Sequence, residues 1–120
     1  MMRFAGYAAV FDRVDRGGDV VRRGAFTGQL DRAVPLLWQH DRTQPAGTIE
    51  MIAEDSKGLR VIGRLEEGAV TVGFGLSFGY QTKRQARTAS ARELIELELV
   101  EISLVTSPMQ PLARVIAVEN

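Results

Sequence analysis

No apolar run in this chain goes far: each is stopped within about a dozen residues by glycine, proline or a cluster of charge, and this punctuation limits the fold more than anything else. Phe4 to Phe11 reads as a first strand of aromatic and small residues. Asp12 to Gly24 is a loop dense in charge and glycine, interrupted by Val20-Val21. Val34 to Trp38 suits a short buried strand that ends at Gln39-His40-Asp41, with Pro45 closing the loop behind it. Thr48 to Ala53 and Leu59 to Leu65 form two more strands around the polar turn Glu54-Asp55-Ser56-Lys57-Gly58. Val70 to Thr82 carries another strand pattern, Lys83 to Ala91 a polar loop, and Arg92 to Val105 the longest strand-like segment. Thr106 to Pro111 is a turn with two prolines, and Leu112 to Val118 is a last short element. Ala25 to Ala33 places Phe26, Leu30 and Ala33 at helical spacing. About six or seven short strands with one or two short helices predict a mainly β fold, a small antiparallel β-barrel, with a sandwich as the competing architecture.

Length and charge narrow the function classes. The 120 residues amount to one domain, residues 1–120, and 45% apolar against 25% charged residues is globular usage that argues against disorder. Fifteen basic residues balance fifteen acidic ones, so the surplus of positive charge that general nucleic-acid or membrane-surface binding requires is absent. Lys83, Arg84, Arg87 and Arg92 are loosely spaced with few aromatics and read as a solvated surface. With no cysteine, disulfides, thiol catalysis and cysteine metal sites are excluded, and with one histidine a zinc site built mainly from imidazoles is excluded too; no cofactor is implied. No apolar run approaches the roughly 18 residues of a membrane span, and the first residues lack the parts of a signal peptide, so the default expectation is a cytoplasmic protein.

Three residues could carry chemistry. In Gly75-Leu76-Ser77-Phe78-Gly79-Tyr80, an extended backbone puts Ser77 on the face of Gly75 and Gly79, where a second chain could come close; a bulge with an incidental serine is the plainer explanation of that segment alone. Glu101 lies in a stretch apolar on both faces, where a carboxylate is costly without a partner: an imidazole, a backbone amide or one of thirteen arginines. Glu96 and Glu98 fall on the other face and read as facing solvent or arginines. His40, the sole imidazole, ends an apolar strand, a place from which a side chain can be presented from a rigid base, though a partly exposed loop histidine would look the same. Asp41 is a poor orienting partner for it, because neighbouring side chains in extended backbone point opposite ways. Serine, histidine and acid together are the nucleophile, base and orienter of acyl transfer, with backbone amides, alone or with an arginine, to bind the oxyanion.

Five blocks in order carry a resemblance over nearly the whole chain. They are Gly6–Asp12 with Arg16–Phe26, Val34–Asp41, Asp55–Gly63, Gly75–Tyr80 and Glu98–Met109. Together they resemble the HK97-type phage prohead serine proteases, and the short, arginine-rich chain is similar to the versions carried by gene transfer agents and defective prophages. The resemblance implies a serine endopeptidase that trims the scaffolding region of the major capsid protein, and often itself, inside the assembling prohead in the bacterial cytoplasm. It implies a barrel with peripheral helices like the herpesvirus assembly proteases, and it assigns the catalytic positions to Ser77, His40 and Glu101. The capsid protein is the implied partner, and a homo-oligomer through an exposed strand edge is compatible with such a fold. One departure stands out: only nine residues, Glu66 to Phe74, separate Leu65 from Gly75, where the family has room for a helix. That shortening motivates the alternative reading, a protein of the same fold that has lost catalysis and serves as a capsid assembly module.

Overall fold

The computed structural model describes residues 1–120 and is built of strands, turns and loops without a helix. Its strands are β1 (Met2–Val10), β2 (Asp19–Val21), β3 (Pro35–Trp38), β4 (Asp41–Glu54), β5 (Gly58–Leu65), β6 (Gly75–Arg87), β7 (Arg92–Val105) and β8 (Val115–Glu119). They form one sheet in the order β2-β7-β3-β4-β5-β1-β8, with β6 on the other edge of β7. β7 is the hub. It pairs antiparallel with β6 from Arg92 to Val105, parallel with β2 at Arg92–Leu94 and parallel with β3 at Ile102–Leu104.

The expected small antiparallel barrel, closed or nearly so, is therefore corrected twice. The sheet is mixed, because the long β7 accepts two short parallel strands along one edge. It is also open. β8 has five residues against the thirteen of β6, and the two strands meet only at their starts, where Gly73–Leu76 bonds to Ala113–Val115.

The helix expected at Ala25–Ala33 is instead a chain of i to i+3 turns, with Ala25 N bonded to Arg22 O, Thr27 N to Gly24 O and Gln29 N to Phe26 O. Gly28 at φ +85° takes the left-handed conformation and ends any helical run, while Phe26 still reaches the core. Segment 66–74 holds bends, one turn at Val72-Gly73 and irregular backbone, with no helix or strand. The polar residues Lys83–Arg87, expected in a loop, continue β6 because β7 is long enough to pair with them.

One core cluster holds the sheet together. Phe4, Leu36, Leu59, Leu65, Leu76, Leu94, Leu97, Leu99, Ile102 and Leu104 are essentially inaccessible, and Phe26 packs edge-on to Phe78 with ring centroids 5.3 Å apart. Most of these side chains sit on β7 and its neighbours, so the strand that carries Glu101 is also the most deeply anchored. At the far end of β7, Arg92 pairs with Asp19 through two 2.8 Å bonds and ties β2 in place.

Candidate active site

The site is built where β3, β6 and β7 run side by side. β3 and β4 are joined by only two residues, Gln39 and His40, with φ of 54° and 60°. Two left-handed residues in succession make a type I′ hairpin turn, a conformation that usually calls for Asn-Gly. Holding it with a glutamine and a histidine costs about 1–2 kcal/mol per residue, so tertiary contacts must over-determine it. They do: Gln39 N donates to Leu104 O at 2.8 Å, and His40 N donates to Ser103 Oγ at 3.2 Å. The turn is thereby pinned to β7, and the imidazole is aimed at Glu101.

His40 Nδ1 lies 2.5 Å from Glu101 Oε1. The other carboxylate oxygen, Oε2, accepts the Ser103 hydroxyl at 2.5 Å. The Glu101 side chain is 8% exposed against 43% for His40, so the acid is buried behind an imidazole that stays open to solvent. Burial alone would raise the Glu101 carboxyl. The hydrogen bonds from His40 and Ser103, with Arg42 nearby, hold it below its ordinary value. In return the bond to Glu101 raises the imidazole above its ordinary value, against burial that works the other way. With Nδ1 engaged as donor to the carboxylate, Nε2 is the nitrogen left to accept a proton. Glu101 makes no ion pair with an arginine. Glu96 and Glu98 do, with Arg84 at 4.0 Å and Arg32 at 3.5 Å.

Ser77 stands on β6 directly opposite Ser103 on β7, as Gly79 stands opposite Glu101. Ser77 and His40 line the same cavity of about 190 Å³, walled by Leu76, Phe78 and Tyr80. The hydrogen bond of the imidazole is to Glu101. Ser77 makes none to it, a separation common in unliganded nucleophile–base pairs. The structure thus brings all three candidate residues to one place, two of them in contact. No group of three or more His, Asp or Glu side chains converges as metal ligands would.

Sequence reasoning missed Ser103. Its hydroxyl serves both partners, donating to the acid and accepting from the histidine's own backbone, and it is fully buried. The available signal was a serine two residues from a carboxylate in an otherwise apolar strand, hence on the same face. Ser103→Ala leaves the partly buried His40 amide and a buried carboxylate oxygen unpaired, so a loss of about 1–3 kcal/mol is expected in urea denaturation. Ser103→Thr, which keeps the hydroxyl, should recover part of it.

Gly79 has a role beyond backbone access. A Cβ there would collide with the Glu101 carboxylate at Oε1, the oxygen that meets His40. Gly79→Ala should therefore displace the acid while leaving Ser77 and His40 in place. The expected result is a folded protein whose kcat falls about 100-fold, read by cleavage kinetics beside a thermal melt.

The fold is similar to that of a herpesvirus protease. KSHV protease, solved in complex with a hexapeptide phosphonate inhibitor, superposes with a TM-score of 0.71 at 12% identity, over 99% of this chain and 65% of that one. The sequence narrows the class further. Residues 1–120 match the profile of the caudovirus prohead serine proteases, and the chain belongs to that family. The prohead protease of Enterobacteria phage HK97 is 41% identical over an alignment of 69 positions that covers 54% of this chain and 31% of that protein. The chain thus spans less than two-thirds of the length of either protein.

Proposed function

We propose that this chain is the serine endopeptidase of a phage-type prohead, cutting the scaffolding region of the major capsid protein during capsid maturation. The observation that carries this reading is the 2.5 Å contact from His40 Nδ1 to a buried Glu101, with Ser77 in the same cavity. On this reading Ser77 Oγ attacks the scissile carbonyl while His40 Nε2 takes its proton. The imidazolium so formed is stabilised by Glu101 and then gives the proton to the leaving amine. Water repeats the sequence to release the acyl group. Ser103 is a positioning residue that fixes both the carboxylate and the turn carrying the imidazole.

The raised His40 sets the sign of the pH dependence. The base works only when neutral, so cleavage should rise with pH through a midpoint above the ordinary imidazole value of about 6.5.

The testing experiment is co-expression with the major capsid protein of the same genome, following the capsid protein's N-terminus by mass spectrometry. Trimming by the wild-type chain that disappears with Ser77→Ala and with His40→Ala is the expected result. The helix-free segment 66–74 favours a second reading, an inactive assembly module of the same fold. Untrimmed capsid protein in normally formed shells would establish that module instead.

A further inference from the structure

Beside the cavity of Ser77 and His40 lies a second depression of about 390 Å³, lined by Val10, Arg13, Val14, Gln110, Pro111 and Leu112. Gln110 lines both, and it does not move freely. It is buried, its Oε1 accepts Val10 N at 2.7 Å, and its Nε2 donates to Val10 O at 3.1 Å. The clamped amide is a fixed sill joining the two hollows. Val14, Met109 and Leu112 are large apolar side chains left 56%, 51% and 48% exposed, and all three gather here. Met109 faces the cavity of Ser77, and Val14 and Leu112 flank the groove beyond the sill.

Exposed apolar side chains that gather in one place mark a surface that another molecule covers. Continuity with the cavity of Ser77 says which molecule. An extended peptide advances about 3.3 Å per residue, so one with a carbonyl at Ser77 carries a nearby residue over Gln110 and into the groove. We propose that this groove is a specificity subsite that takes an apolar side chain, of the class Leu, Ile, Val or Met, at a fixed distance from the scissile bond. The proposal rests on the endopeptidase reading given above.

A peptide library with a randomised ten-residue core, digested at high protein concentration and read by mass spectrometry, tests it. One position relative to the cut should be enriched about tenfold in Leu, Ile, Val and Met. Val14→Asp and Leu112→Asp should flatten that preference while cuts still occur, whereas Val118→Asp, an equivalent change on β8, should leave it intact. A library cut without apolar preference, or a preference that survives both groove variants, would overturn the subsite alone. A wild-type chain that cuts no more of the library than Ser77→Ala would remove the endopeptidase reading and the subsite with it. Sedimentation of the same variants covers the remaining occupant: a dimer of wild-type chains that Leu112→Asp dissociates would assign the groove to a second copy and overturn the proposal.

Discussion

Ser77→Ala is expected to abolish capsid-protein cleavage, a loss of about 10⁶ in kcat where nucleophile and base act as one unit, and His40→Ala is expected to match it. The two losses should not add. A serine without a base is a weak nucleophile, and an imidazole without the serine has no proton to take, so the double variant should be no worse than either single one. Ser77→Ala should spare the fold, whereas His40→Ala should keep it at a lower melting temperature, because it leaves Oε1 of the buried Glu101 without its partner. Ser77 and His40 are neither fully buried nor in the core cluster, and the turn at His40 is held by its backbone amide, which alanine keeps. A thermal melt alongside the assay separates lost chemistry from lost structure. Trimming that persists in Ser77→Ala would mean another residue makes the attack.

The second large effect is expected from Glu101→Gln. The carboxylate receives two donors, His40 Nδ1–H on one oxygen and the Ser103 hydroxyl on the other. Glutamine offers one acceptor oxygen and an amide that donates, so one donor loses its partner. If the amide turns to His40, it stabilises the tautomer with the proton on Nε2, which is the wrong one for a base. A fall in kcat of about 10³–10⁴ is expected, by analogy with the loss of the orienting acid from other serine triads. The pH profile should move as well, and its direction is fixed. The bond to Glu101 is what raises His40, so removing the charge lowers the imidazole and shifts the rise in residual activity to lower pH. A rate loss with an unmoved profile would argue that Glu101 supports structure without acting on the imidazole.

How much of this could be read beforehand depended on whether local pattern or distant contact decided each element. β7 was legible because an apolar residue recurs at least at every second position from Leu94 to Val105, and Glu101 stood out as a charge where both faces are apolar. β5 was legible from the apolar run beginning at Leu59 behind a glycine turn, and β1 differed only at its ends. The hairpin at Gln39-His40 was not legible. Neither residue favours a positive φ, and the turn exists because Leu104 and Ser103, more than sixty residues away, bind its amides. The end of β6 was missed for a different reason. Lys83–Arg87 is exposed on both faces, so it shows no alternation, and pairing with β7 alone makes it a strand. At Ala25–Ala33 the apolar spacing was right for burying Phe26, but Gly28 broke the helix that spacing suggested. The closing of the sheet was overestimated because strand count does not reveal strand length, and β8 is too short to run along β6. For the site, the three side chains were readable as a set from the family resemblance, while Ser103 and the constraint at Gly79 needed coordinates, since both act through contact with Glu101.

The central claim is that Ser77 is a nucleophile activated by His40. The most direct measurement is labelling with a fluorophosphonate, which reacts with an activated serine and not with an ordinary one, followed by mass spectrometry of the intact and digested protein. The account predicts a single adduct on Ser77, formed faster as the pH rises through the imidazole range and lost in His40→Ala. An unlabelled Ser77, or a Ser77 adduct that forms equally well without His40, would contradict it.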